Sequence, residues 1–125
     1  MEDAICATKA AIKEGIVPGG GIALLNAATN ITAKSIGETV LLEAIKAPFK
    51  TILENAGLES DRKTPKRKGQ GYNVVTGKMV NMIKSGIIDP LLVTKSALQN
   101  AASVATTILS TDCVINNLRI DESNR

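Results

Sequence analysis

The sequence predicts a mainly α chain, a helical bundle carrying a small β-hairpin and a C-terminal edge strand. Hydrophobic residues fill 44% of its 125 positions while aromatics fill only 2%. A core built almost wholly of Ala, Ile, Leu and Val suits close-packed helices, because small side chains let helix axes approach. Apolar residues also recur at helical spacing in long stretches, and glycines and prolines punctuate those stretches where turns belong.

From Glu2 to Glu14, Ala4, Ala7 and Ala11 fall on helical spacing with Ile5 and Ile12 beside them. Glu2 and Asp3 sit in the first turn, where an acid complements the helix dipole by roughly 0.3 to 1 kcal/mol. Gly15 stands where a C-cap glycine belongs. A second helix is expected from Ile22, with its free N-terminal amides at Gly19 to Gly21. A third pattern runs from about Ile36 to Asn55, with Val40, Leu41, Ile45, Phe49, Ile52 and Leu53 as its apolar face. Pro48 should kink or split it.

Leu58 to Gly71 is polar and basic and reads as an exposed loop. Tyr72–Val75 and Gly86–Ile88 read as two brief strands around the connecting stretch "TGKMVNMIKS". Asp89 as N-cap with Pro90 at the first helical position predicts a last helix running to about Leu109. "CVINNLRI" (Cys113 to Ile120) is β-like and without an obvious partner, so it is expected to pair outside the chain or stand as an exposed edge.

Charge and residue usage exclude several functions. The net charge is +3, and much of it comes from Arg62, Lys63, Lys66, Arg67 and Lys68. A solvated basic loop explains that cluster, and no aromatics interleave it as a nucleic-acid surface would require, so no nucleic-acid partner is expected. With no histidine, Ser/His and Cys/His nucleophile pairs and the usual zinc sites drop out. Cys6 and Cys113 match no metal spacing and suit a reducing compartment. No apolar run approaches the length of a membrane span, so no membrane partner is expected and the location should be intracellular.

"GIVPGGGIALL" (Gly15 to Leu25) raises the chemical question. Each glycine inside a helix or strand costs roughly 0.5 to 1 kcal/mol against alanine, so a triplet implies special backbone angles or a close approach. It is not a phosphate-binding P-loop, because Gly21 stands where that motif needs lysine, nor GxGxxG, because Leu24 holds the last glycine position. Two readings remain: a tight turn between packed helices, or bare amides meeting a phosphate or sugar. Asp3 and Asp89 each have a local helix-end explanation. Asn73 is explained as a turn residue, although its carboxamide could also read an adenine edge.

The blocks "EDAICATKAAIKEGIVPGGGIALL", "GYNVVTGKMVNMIKSGIIDP" and "VTKSALQNAASVATTILSTDCVI" follow one another along nearly the whole chain. Together they resemble the C-terminal equatorial segment of the group I chaperonins, the GroEL family. The resemblance implies that residues 1–125 form one partial equatorial, ATP-binding domain, with the intermediate and apical domains absent. It implies nucleotide binding by Gly19, Gly20, Asn73, Val74, Val75 and Asp89, and a catalytic role for Asp3 in ATP hydrolysis. Valines stand at 74 and 75 where family members commonly carry alanine. ATP and magnesium are the implied cofactors, with the magnesium ligands mostly in the absent N-terminal half, so the chain alone is expected to be inactive. The implied function is ATP-dependent protein folding and refolding in a homo-oligomeric ring. Unfolded polypeptide clients and a co-chaperonin are the implied partners, in the cytoplasm or in the matrix or stroma of an organelle of bacterial origin. The alternative is a truncated, non-catalytic helical interaction module derived from a chaperonin.

Overall fold

The computed structural model describes residues 1–59, 64, 65 and 67–116. Its elements run α1 (Glu2–Glu14), β1 (Ile16–Pro18), α2 (Ile22–Thr29), α3 (Ile36–Ala44), α4 (Ala47–Asn55), β2 (Gln70–Asn73), β3 (Lys78–Asn81), β4 (Ile88–Pro90) and α5 (Leu91–Leu109). The chain divides into two compact units, Met1–Thr94 and Lys95–Arg125. In the second unit the described part is the continuation of α5 and the chain after it.

Helix α1 ends as its sequence requires. Gly15 takes φ 88 and its N–H donates to the Ala11 carbonyl at 2.8 Å. The face it buries is narrower than the periodicity implies: Ala10 is buried, whereas Ile5 and Ile12 are exposed. Helix α1 meets the sheet layer at β4, and most of its other side chains face solvent.

Pro48 splits the third helical pattern as expected. It sits in the first turn of α4, where a missing N–H costs nothing. Helix α3 starts at the N-cap Ser35, whose Oγ accepts from the Glu38 N–H at 3.2 Å, while the Glu38 carboxylate accepts from the Lys34 N–H. This is close to a capping box. Helix α4 closes at Gly57, φ 69, with the Leu58 N–H bonded back to Leu53 at 2.9 Å.

Four strand assignments correct the sequence reading. Strand β1 was not expected: three residues ending in proline carry almost no periodicity, yet Ile16, Val17 and Pro18 pair antiparallel with Pro90, Asp89 and Ile88. That ladder is bounded by Leu91 N–H to Gly15 O and Gly19 N–H to Ile87 O, both 3.0 Å. The hairpin pairs Gln70–Asn73 with Lys78–Asn81, so the second strand lies in the stretch read as a connection. Val74 and Val75 form the turn, not a strand, because Asn73 and Gly77 supply the reversal between them. Gly86–Ile88 does not complete that hairpin; β4 starts at Ile88 and pairs with β1.

Asp89 is likewise a strand residue and not the N-cap of α5. Its pairing with Val17 continues through Pro90 opposite Ile16, which keeps both residues extended and delays the helix to Leu91. A residue preceding proline is biased toward extended backbone in any case. The loop expected to reach Gly71 ends earlier, at Gln70, where β2 begins. Of the expected C-terminal strand, Cys113 to Asn116 lie in no strand, and 117–120 fall outside the described residues. Arg62, Lys63 and Lys66 of the basic cluster also fall outside them.

The core gathers Ile22, Leu25, Phe49, Leu53 and Met82, with Leu58, Tyr72, Val80 and Ile87 packed against it. Ile45, Phe49 and Leu53 of the expected apolar face are buried, while Val40, Leu41 and Ile52 are exposed. Helix α3 contributes no buried residue.

Candidate functional site

The glycine triplet joins β1 to α2, and each glycine meets a different part of the chain. A Cβ on Gly19 would lie 3.2 Å from the backbone of Ile87 and Ile88. On Gly20, at φ +67, it would lie 2.9 Å from the Met82 methyl; on Gly21, at φ +74, it would lie 2.7 Å from the Phe49 backbone nitrogen. What approaches the glycines is thus the entrance to β4, the Met82 side chain and the start of α4. Packing and left-handed backbone account for all three without a ligand.

Met82 is the residue around which the site elements converge. Its N–H donates to the Gly69 carbonyl at 3.0 Å, and its carbonyl accepts from the Ile87 N–H at 2.9 Å. Its sulfur would lie 2.7 Å from a Cβ on Gly71, as would Ile22 Cγ1. One buried residue therefore ties the base of the β2–β3 hairpin to β4 and fills the space between Gly20 and Gly71. Sequence reasoning did not single out Gly71 or Met82. A glycine inside a strand, as in "GQGYN", was the available signal, because it marks a close approach.

Gly19, Gly20 and Asp89 belong to segments that meet through the β1–β4 pairing, whereas Asn73, Val74 and Val75 lie at the far end of the β2–β3 hairpin from Met82. Asp89 is exposed on β4, beside Ile88, which pairs with Pro18 just before Gly19 and Gly20. Far apart in the sequence, the glycines directly follow the strand that pairs with the one carrying Asp89. Asn73, at the end of β2, lies two residues beyond Gly71 and leads into the exposed Val74 and Val75. An exposed carboxylate can accept from sugar hydroxyls, and an exposed backbone turn can meet a flat base.

Asp3 stands apart from this ladder. It is exposed in the first turn of α1, about 18 Å along the helix axis from Gly15. Cys6 and Cys113 are free thiols, both exposed. Among the described residues, Glu43 has its carboxyl held below the usual 4.5, first by its hydrogen bond to Lys46 and next by that ammonium's charge. The pair is 2.7 Å apart and lies on α3 and the link to α4, away from the hub.

A sequence profile of the TCP-1/cpn60 chaperonin family matches residues 1–119, and the chain belongs to that family. Its fold is similar to a crystal structure of a group III chaperonin in the open state, with a TM-score of 0.71 and 29% identity over 85% of this chain. The mainly α architecture with two small antiparallel strand pairs agrees with a chaperonin equatorial-domain fragment. The chain spans 25% of the length of that solved chaperonin. Among the described residues, no helix is long and apolar enough to cross a membrane.

Proposed function

We propose that this chain supplies the base-and-ribose side of an ATP site, together with ring-contact elements, to a chaperonin subunit that assists protein folding. The observation that supports it is the β1–β4 ladder, which pairs Asp89 with Val17, two residues before Gly19. Asp89 would accept hydrogen bonds from the ribose hydroxyls, the backbone at Gly19 and Gly20 would line the sugar, and the turn carrying Val74 and Val75 would face the adenine. Asp3 would orient the attacking water or offset charge near the phosphates, chemistry that works by positioning and electrostatics. ATP supplies the transferable phosphoryl group when bound. We assign no magnesium ligand to this chain.

Ring assembly, polypeptide clients, a co-chaperonin and a cytoplasmic or organellar location belong to the same proposal. The group I subdivision rests on the sequence blocks alone. A second reading, a non-catalytic helical interaction module, draws on the exposed apolar residues of α3 and α5, neither of which buries a residue.

The test is an ATP titration of the isotope-labelled chain followed by amide chemical shifts. The expected result is weak binding that perturbs Gly19, Gly20, Val74, Val75 and Asp89, is lost in Asp89→Ala, and releases no phosphate. Absence of those shifts at millimolar ATP sinks the nucleotide reading. Steady turnover by micromolar chain refutes the expectation that it is inactive alone.

A further inference from the structure

Asn73 closes β2, and both of its oxygens are engaged by the turn that follows. Its backbone carbonyl accepts from the Gly77 N–H at 2.9 Å. Its side-chain Oδ1 accepts from the Val75 N–H at 2.9 Å and the Thr76 N–H at 3.2 Å. A carboxamide oxygen has two lone pairs, so two backbone donors use its accepting capacity in full. Such an oxygen has nothing left for the exocyclic amine of a purine. The turn it fixes is otherwise open: Val75 is 90% exposed and Val74 41%. Gly77 completes the reversal at φ +69.

We propose that Asn73 is a positioning residue. Its two oxygens hold the 73–77 turn so that the backbone and side chains of Val74 and Val75, and not the Asn73 carboxamide, meet the base. This rests on the nucleotide reading above. It reassigns the polar residue of the "YN" pair from reading the base to shaping the surface that receives it. Valine side chains on a pinned turn offer an apolar plate to the flat face of the ring, and their C=O groups line its edge, the Val75 N–H being held by Asn73 Oδ1.

The test compares the unsubstituted chain with Asn73→Ala and Asn73→Asp, because aspartate keeps the acceptor oxygen and loses the amide donors. Hydrogen exchange at the Val75 and Thr76 amides is measured without nucleotide, with the Met82 amide as the control for an intact hub. Adenosine is then the probe, since it carries no phosphate for the new carboxylate to repel. In Asn73→Ala, exchange at the two turn amides should rise on the order of tenfold, as expected for losing two modest hydrogen bonds. The adenosine shifts at Val74 and Val75 should vanish with it. In Asn73→Asp both should match the unsubstituted chain. Unchanged exchange in Asn73→Ala overturns the proposal. So does an Asn73→Asp chain that keeps its turn protection but no longer responds to adenosine, because the amide nitrogen would then be reading the base. No adenosine response in the unsubstituted chain overturns the nucleotide reading and with it the base-facing role, while the exchange data still decide whether Asn73 holds the turn.

Discussion

The hub around Met82 and helix α3 use similar residues to opposite ends. In the hub, Ile22 and Leu53 are 0% and 1% exposed, and a Cβ would collide with the Met82 side chain at Gly20 and Gly71 and with the Phe49 backbone at Gly21. In α3, Ile36 and Val40 are 86% and 64% exposed, and the helix is held by its Ser35 and Glu38 cap. Apolar periodicity alone does not tell these cases apart. What separates them is the company of glycines and short strands, which bring chain segments within a side chain's width of one another.

That contrast can be broken by substitution, most severely at Phe49. Truncating this 4% exposed ring with Phe49→Ala should cost about 3 to 5 kcal/mol, the usual penalty for removing a buried aromatic, measured by urea unfolding. Gly21→Ala comes next. It combines an unfavourable left-handed backbone with overpacking against the Phe49 backbone, and roughly 2 to 4 kcal/mol should be lost in the same assay. Val40→Ser on α3 should stay within about 0.5 kcal/mol, and a larger loss would mean that α3 is covered in solution.

The smallest effect is expected at Glu43. Its folded pKa lies below its unfolded value, so its contribution is present above the unfolded value and fades as pH falls through the lowered folded value. Because Glu43 is exposed, Glu43→Gln should leave stability near neutral pH almost unchanged and slightly flatten only the acid limb of the pH profile. A marked change at pH 7 would show that the pair does more than this.

The helices were legible where local signals set both ends: α1 between an acidic first turn and Gly15, and the split at Pro48. The strands were harder to read because pairing between distant segments decides them. "IVP" has no strand signature until "IDP" lies opposite it, and the same pairing moved Asp89 out of the helix cap. The hairpin turn was hidden because Val74 and Val75 have the composition of a strand, while Asn73 and Gly77 set the reversal. Of the candidate site, the glycines, Asn73 and Asp89 were named from the sequence, but the Met82 and Gly71 link between them was not. A methionine in an apolar stretch carries no sign of which backbones it will bridge.

Met82 gives the site a mechanical property of its own. Its two backbone hydrogen bonds run in opposite directions, one to Gly69 at the foot of the hairpin and one from Ile87 at the entrance to β4. The foot of the hairpin and the strand that carries Asp89 are therefore joined through a single residue as well as through the 83–86 turn. The soft thioether seated against Gly20 and Gly71 can slide where a branched side chain would jam. One methionine thus anchors both the hairpin and the acidic strand.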